Sequence, residues 1–250
     1  MCGRFAVTTD PAKLAAEIDA VNEVPAAPPT PDDQTSVNQP SPDQPNTDQA
    51  PRTLGTNYNV APTSTILTVV ERHSHGDPHD DPRLRVRAMR WGLVPTWAKE
   101  VGKGPLLFNA RAETAAEKSS FRSSVKSKRC LVPMDGWYEW KPGPADSRGK
   151  PTKIPFFMSP KDGTRLFMAG LWSAWHDRSN PDAPPLLSCT ILTADSVGDL
   201  ARIHDRMPLI MPREHWDSWL DPDHEVDPAL LESPSLDVVG ALEVRPVHGP

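Results

Sequence analysis

Residues 129–140 read RCLVPMDGWYEW, and they are the strongest single indication of the architecture. Arg129 to Pro133 is typical of a buried strand, because its centre is an unbroken apolar run. Met134 to Trp140 then places three aromatic residues and two carboxylates, Asp135 and Glu139, within seven positions. The run therefore predicts a β-sheet at the centre of the molecule.

Short strands are predicted on both sides of this run. Thr65 to Glu71 is rich in β-branched residues, and Leu84 to Met89 alternates apolar side chains with arginines, as a half-exposed strand does. Further strands are predicted at 5–7, 154–158, 167–175, 186–193, 209–211 and 242–247, and the segment 141–152 is predicted to be a Pro/Gly loop.

Helical patterns are fewer. Thr9-Asp10-Pro11 predicts the start of a helix that ends near Ala20, because a capping residue precedes a proline. Shorter helices are predicted around 115–118, 119–128, 196–203, 213–220 and 229–232. Many short strands without a βαβ alternation predict an α+β fold, a single domain with a mainly antiparallel, barrel-like β core and peripheral helices.

Proline is unusually frequent, at 30 of 250 residues, more than twice the usual share of about 5%. Eight prolines lie between Pro25 and Arg52, among polar residues that offer little to bury. Such a segment cannot offset its conformational entropy by packing, so we interpret 25–52 as a disordered insertion. The residues before it are too few to fold alone, and 1–250 is therefore predicted to be one domain.

Composition restricts the compartment. The three cysteines, Cys2, Cys130 and Cys189, form no disulfide framework, and the chain has neither a signal-peptide pattern nor an apolar run long enough to span a membrane. We expect a soluble protein in a reducing, cytoplasmic setting, a monomer by default, with no cofactor. The polar tip 73–82 carries three histidines and three aspartates, but a turn-rich loop lacks fixed ligand geometry, and we expect no metal site there.

Charge is unevenly distributed along the chain. The net charge is −6, yet residues 85–129 contain eleven Lys or Arg residues against three acidic ones. A local basic face on an acidic protein is compatible with a confined site for a polyanion. Ordinary solvated charges would give the same count.

Cys2 directly follows the initiator Met1. If Met1 is removed, Cys2 presents an amine and a thiol on neighbouring carbons, which can attack an aldehyde in turn and close a five-membered thiazolidine ring. An α-amino group titrates near 7.7–8.0 and a thiol near 8.5, so both nucleophilic forms exist near neutral pH. The alternative is that Cys2 is a small buried residue, the usual role of a free cysteine.

Three residues could assist such an aldehyde reaction. Asn109 follows an apolar strand and could hold Cys2 by hydrogen bonds. Glu139 lies between Tyr138 and Trp140, where desolvation would raise its pKa and let it act as an acid. His204 precedes Asp205-Arg206 and could move protons. Each has a structural alternative: a turn former, a surface carboxylate and a structural histidine.

The chain resembles the SRAP (SOS response-associated peptidase) family, whose members shield abasic sites. The resemblance covers nearly the whole chain in order, and only the proline-rich insertion is longer than expected. The matching stretches are 1–5 (MCGRF), 58–62 (YNVAP), 90–98 (RWGLVPTWA), 109–113 (NARAE), 130–133 (CLVP), 136–140 (GWYEW), 169–172 (AGLW) and 204–208 (HDRMP).

The resemblance implies a thiazolidine DNA-protein crosslink between the N-terminal cysteine and the aldehyde of an abasic site in single-stranded DNA. It implies that Cys2 is the nucleophile, that Asn109 positions it, that Glu139 assists sugar-ring opening and crosslink reversal, and that His204 moves protons. A Schiff-base step would also allow a lyase activity. The DNA partners that the resemblance implies are Arg4, Arg111 and Arg206 for phosphates, and Trp91 and Trp140 for stacking or wedging.

Two other functions stay open from the sequence. The family name suggests a cysteine autopeptidase, although only Met1 precedes Cys2 and general methionine removal would suffice. A non-covalent single-strand binding module with an inert Cys2 is the third possibility. Trp91 has its own alternative as a core residue.

Overall fold

The computed structural model of the protein describes residues 2–25, 54–74 and 79–248. Apart from Pro25, the predicted insertion at 25–52 lies outside these residues. The described residues form mostly strands with a few short helices, as the sequence pattern predicts for an α+β fold. The strands are β1 Arg4–Val7, β2 Val21–Asn22, β3 Asn57–Val60, β4 Thr65–Arg72, β5 Arg83–Trp91, β6 Asn109–Arg111, β7 Arg129–Met134, β8 Gly136–Ala145, β9 Pro151–Pro160, β10 Leu166–Trp175, β11 Leu186–Asp195, β12 Arg206–Pro208 and β13 Leu242–Pro246.

The strands form two sheets. Five strands pair in the order β13-β9-β8-β1-β3, and eight belong to a second sheet ordered β12-β11-β10-β7-β4-β5-β2, in which β6 lies beside β11. In the second sheet β5 also pairs with β11, so the strands β11, β10, β7, β4 and β5 close into a ring. The predicted α+β single domain is confirmed, and its core closes partly on itself.

The helices are short and lie at the periphery. Helix α1 shows how the sequence starts them: the Asp10 side chain accepts a hydrogen bond from the Lys13 amide at 2.9 Å, and Pro11 occupies the first turn. The α-helices are α1 Pro11–Glu17, α2 Ala112–Ala115, α3 Arg122–Ser127, α4 Trp216–Leu220 and α5 Leu236–Gly240. Short 3-10 helices lie at Gly198–Arg202, Arg213–His215 and Pro228–Leu231.

Alternation along the ring strands separates two hydrophobic clusters. Leu131 of β7 belongs to a cluster that includes residues of helices α1, α3 and α4. Its neighbours Cys130 and Val132 belong to the cluster that contains Cys2, Phe5 and residues of β8 and β9. Successive side chains of a strand point to opposite faces, and β7 therefore packs against helices on one face and the N-terminal region on the other.

Several local predictions were wrong. The predicted loop 141–152 is largely strand, because β8 continues to Ala145 and β9 begins at Pro151. The predicted strand at 209–211 is reduced to one bridge between Met168 and Ile210. Prolines and glycines in the hairpin lowered its apparent strand character, but long-range pairing between β8 and β9 outweighs local preference.

Candidate active site

Strand pairing brings the start of the chain to Glu139. Strand β1 pairs antiparallel with β8, with Arg4 opposite Tyr138 and Phe5 opposite Trp137. On its other side β1 pairs with β3. Cys2 lies two residues before Arg4, and Glu139 follows Tyr138 directly, so the register places both at the same end of this strand pair.

Asn109 is held beside Cys2 from the other sheet. Strand β6 runs parallel to β11, with Asn109 opposite Ile191. The Asn109 Nδ2 donates a hydrogen bond to the main-chain carbonyl oxygen of Cys2 at 2.8 Å. The Oδ1 of Asn109 is buried and has no hydrogen-bond partner among the described residues. Asn109 therefore fixes the backbone of Cys2 and keeps one buried acceptor on the same side chain.

The thiol of Cys2 is fully buried, with 0% exposure. Burial raises the pKa of this thiol well above its ordinary value, and the negative charge of Glu139 raises it further. The register of β1 against β8 places the two groups at the same end of this strand pair. The thiol is accordingly held in its neutral, protonated form.

Glu139 is also buried, with 3% exposure. Burial raises the pKa of its carboxyl group, while the positive charges of the chain's amino terminus and of His204 act in the opposite direction. A carboxyl group with a raised pKa can retain a proton closer to neutral pH than an exposed glutamate. The arrangement suits a group that donates and takes back a proton.

His204 lies just after the 3-10 helix Gly198–Arg202 and is partly exposed. Its Nδ1 accepts a hydrogen bond from the backbone N–H of Arg206 at 2.9 Å and also lies 2.9 Å from the Asp205 carboxylate. A backbone N–H can only donate, so the neutral ring carries its proton on Nε2, whereas the carboxylate favours a proton on Nδ1. Both contacts hold the imidazole ring in one orientation.

The structure thus brings together the four residues singled out for chemistry. Asn109 bonds Cys2, Glu139 acts electrostatically on Cys2, and His204 acts electrostatically on Glu139. They come from the N-terminus, β6, β8 and the segment before β12. Their catalytic roles stay predictions.

The residues singled out for DNA differ in their accessibility. Arg111 is exposed, and Arg4 is half-buried with Nη1 donating to Asn59 Oδ1 at 2.8 Å. Trp140 is half-buried against a small cluster of Ala6, Tyr138 and Phe157. These side chains keep surface that a bound strand could contact.

Arg206 is buried inside an ion-pair network. Its guanidinium donates to both carboxylate oxygens of Glu113 at 2.8 and 2.9 Å, and to Asp195 Oδ1 at 2.5 Å. A further bond reaches the Thr193 carbonyl oxygen at 2.6 Å. Arg206 therefore anchors β12 to β11 and α2, and its predicted phosphate contact would have to compete with two carboxylates.

Trp91 lies in the core, with 0% exposure. Its Nε1 donates to the Phe108 carbonyl oxygen at 2.9 Å, and its ring packs edge-on against Phe5 and Phe108. In this conformation the indole offers no surface to DNA. The geometry favours the alternative that Trp91 is a core residue, which packs against Phe5 of β1.

Sequence reasoning missed two exposed aromatic residues. Trp97 is 57% exposed and Tyr58 is 65% exposed. Trp97 lies in the loop after β5, and Tyr58 lies on β3, where its carbonyl oxygen accepts a bond from the Tyr138 hydroxyl at 3.0 Å. The turn formers Gly92 and Pro95 before Trp97 were the available signal, because a loop of that composition runs over the surface.

The described residues show neither a metal-ligand cluster nor a membrane-spanning helix. No group of three or more His, Cys, Asp or Glu side chains there could hold a metal ion. His73 of the predicted hairpin tip pairs with Asp223 at 2.9 Å, and His75 lies outside the described residues. None of the helices in this part of the chain combines the length and apolar character needed to cross a membrane.

The sequence matches one protein family over almost its full length. The model of the family described as SOS response associated peptidase (SRAP) matches residues 1–249. The chain belongs to the SRAP family. The resemblance drawn from the motifs is thereby confirmed.

Several relatives of this SRAP chain carry the same descriptive name. The abasic site processing protein YoqW of Bacillus subtilis is 41% identical over 177 residues, which cover 70% of this chain and 71% of that protein. The abasic site processing protein YMR114C of Saccharomyces cerevisiae is 33% identical over 231 residues, covering 89% and 56% respectively. The abasic site processing protein HMCES of Rattus norvegicus is 35% identical over 190 residues, covering 66% and 53%.

Solved structures share the fold. A protein from Bacteroides thetaiotaomicron superposes with a TM-score of 0.71 at 23% identity, over 99% of this chain and 92% of that chain. A phage-related protein from Bordetella bronchiseptica superposes with a TM-score of 0.63 at 25% identity, over 99% and 94%. These similarities show that both proteins share the fold of the described residues.

Proposed function

We propose that this SRAP protein binds single-stranded DNA that contains an abasic site and links itself covalently to the lesion through Cys2 after removal of Met1. The observation that carries the proposal is the 2.8 Å hydrogen bond from Asn109 to Cys2 beside the buried carboxyl group of Glu139. Relatives named for abasic site processing support the substrate class. The product is a thiazolidine between the protein and the sugar.

In the first step the freed amine of Cys2 attacks the aldehyde carbon of the ring-opened sugar. The resulting hydroxyl group leaves as water after taking a proton from Glu139, and an imine remains. A carboxyl group whose pKa is raised by burial retains the proton that this step needs. His204, which acts electrostatically on Glu139, would return a proton to it from solvent.

In the second step the Cys2 sulfur attacks the imine carbon. The thiol proton passes to the nitrogen, directly or through Glu139, and the five-membered ring closes without further loss. The balance is one aldehyde and one aminothiol giving one thiazolidine and one water. A buried thiol with a raised pKa is compatible with this order, because the amine makes the first bond and the thiol need not be ionised beforehand.

Removal of Met1 is the activating step in this proposal. It frees the α-amino group of Cys2, which is otherwise tied up in a peptide bond and cannot form an imine. Processing therefore creates the nucleophile.

DNA is held, in this proposal, by accessible cations and one aromatic side chain around Cys2. Arg4 and Arg111 would contact phosphates, and Trp140 would contact a base or the sugar. Arg206 would act mainly by fixing the segment that carries His204, since Glu113 and Asp195 already engage its guanidinium. Trp91 would support the site from the core.

The proposal is tested with a single-stranded oligonucleotide that carries one abasic site. The processed protein should give a heat-stable shifted band on a denaturing gel, and Cys2→Ala should give none. The matched control is Cys189→Ala, which removes another fully buried thiol and should leave the band. A complex that dissociates on denaturation would indicate a non-covalent binding module, and cleavage of a peptide substrate without any band would indicate a peptidase.

A further inference from the structure

Two cations share one indole ring at an end of the strand ring. The guanidinium carbon of Arg72 lies 5.1 Å from the ring centroid of Trp172, and Lys128 Nζ lies 5.6 Å from the same centroid. The Trp172 amide donates to the Lys128 carbonyl oxygen at 2.9 Å, which ties the two segments together. We call Arg72 and Lys128, which share the Trp172 ring, the cation pair.

The cation pair lies beside two further arginines. Arg87 is opposite Thr68 on β4, and Arg85 is opposite Val70. Thr68, Val70 and Arg72 are spaced two residues apart along β4 and share one face of the sheet, so Arg85 and Arg87 point to the same face as Arg72. Glu23 pairs with Arg85 and Arg87, each at 2.5 Å. Arg85 and Arg87 are therefore paired with a carboxylate, and Arg72 and Lys128 are the cations at the Trp172 ring.

Arg72 and Lys128 form no ion pair with a described residue. Both are partly buried, and burial lowers the pKa of each. The charge of Arg72 lowers the pKa of Lys128 further. The charges of Arg87 and Arg85 act in the same sense on the pKa of Arg72, and the charge of Glu23 opposes them. Holding like charges together in a partly desolvated position costs free energy, and an anion between them would recover it.

The cation pair consists of side chains that the candidate active site does not use. Trp172 is opposite Cys189 on β11, and Asn109 is opposite Ile191, two residues further along the same strand. Two residues of extended strand span about 7 Å. The two sites therefore border neighbouring positions of β11.

We infer that the cation pair, with Arg85 and Arg87 behind it, is a second binding site, and that its ligand is a phosphate group. Arginine binds phosphate oxygens with its planar fork, and lysine adds a compact positive charge. A terminal phosphate carries a charge of about −1.5 to −2 at neutral pH, which matches the unpaired excess at this site. The phosphate can belong to the DNA strand or to a free phosphate-bearing molecule.

The test uses inorganic phosphate and the processed full-length protein. Its melting temperature is measured with rising phosphate at constant ionic strength, because a ligand of the folded state raises it. Arg72→Gln and Lys128→Gln should each weaken phosphate binding about tenfold, the effect of one charge-assisted contact. The charge-matched control is the pair Arg122→Gln and Lys126→Gln, two exposed cations of α3, which should bind as the wild type does.

A second arm identifies the source of the phosphate. Binding of an oligonucleotide without any abasic site is measured over a range of salt, and losing one DNA phosphate contact should reduce the slope of log affinity against log salt by about 0.7. A reduced slope assigns the site to DNA, and an unchanged slope with lost phosphate stabilisation assigns it to a free ligand. The inference is overturned if phosphate fails to stabilise the wild type, or stabilises the Arg72 and Lys128 variants equally.

The experiment does not depend on crosslinking. Inorganic phosphate reports on the cation pair whether or not Cys2 reacts, so the two proposals fail independently. If the combined Arg72→Gln and Lys128→Gln protein does not fold, each single variant still gives the readout. Each single change also removes one of two repelling charges.

Discussion

Burial of Glu139 links the chemistry of the site to pH. If this carboxyl group is the acid that protonates the departing hydroxyl, crosslinking slows as pH rises through its raised pKa. Glu139→Gln should slow crosslinking by about a hundredfold or more and should remove this falling limb. Single-turnover rates on the abasic oligonucleotide across neutral pH measure both effects, and equal rates for the two proteins would remove Glu139 from the acid role.

Burial of Glu139 also makes the stability of the folded protein depend on pH. The pKa of Glu139 is raised in the folded state, so the folded protein keeps a proton that the unfolded chain releases above about 4.3. Stability from this group is therefore fully present below that pH and is lost as pH rises to the folded pKa. Glu139→Gln should melt above the wild type near neutral pH, with a gain that shrinks in acid.

Cys2→Ser separates the two bonds of the proposed thiazolidine. The amine remains and should still form an imine, whereas a hydroxyl group is a poorer nucleophile than a thiol and should not give the stable ring. We expect an adduct that borohydride traps but that does not survive heating without it. Failure to trap any adduct would count against attack by the amine, provided that circular dichroism shows the variant to be folded.

At the scale of elements, Arg129 of β7 connects helices α3 and α4 to the sheet by hydrogen bonds. It is 2% exposed and donates only to main-chain carbonyl oxygens. Its acceptors are Val125, Lys126, Trp219, Asp221 and His224. Arg129 is one of the eleven Lys or Arg residues of segment 85–129, but its buried guanidinium is not available to a polyanion.

Arg129→Met should leave these buried acceptors without a donor and lower the free energy of unfolding by about 3 kcal/mol or more. Arg129→Lys keeps the charge but loses the planar fork, and should also destabilise. Urea denaturation gives the values, with Arg122→Gln on α3 as the exposed control. A change within about 0.5 kcal/mol for Arg129→Met would contradict this role.

Elements with a strong local pattern were predictable from the sequence. Strand β7, predicted at 129–133, is Arg129–Met134, and the helix predicted from Asp10 and Pro11 begins at Pro11. An apolar strand was predicted to end before Asn109, whereas β6 is Asn109–Arg111, and β12 was not predicted. Both short strands are defined by pairing with β11. Local sequence carries no record of such partners.

At the scale of the whole molecule, the site depends on contacts between distant segments. The motifs named Cys2, Asn109, Glu139 and His204, yet their proximity follows from the pairing of β1 with β8 and of β6 with β11. Burial could not be predicted in the same way. Trp91 and Arg206 were predicted to contact DNA, but Trp91 lies in the core and Arg206 lies in an ion-pair network.

This difference in burial predicts different outcomes for two arginines. Arg111→Gln should weaken binding to single-stranded DNA and reduce its salt dependence, with little change in melting temperature, because Arg111 is exposed. Arg206→Gln should lower the melting temperature, since it leaves Glu113 and Asp195 without their partner. Salt titrations and thermal melts of both variants check this, and equal losses of stability would contradict it.

The mass of the isolated protein–DNA adduct tests the covalent account most directly. The account predicts the mass of the chain lacking Met1 plus the mass of the abasic oligonucleotide minus one water, with the modification on the peptide that begins at Cys2. An adduct that retains Met1, or one whose modification maps to a lysine, would contradict it.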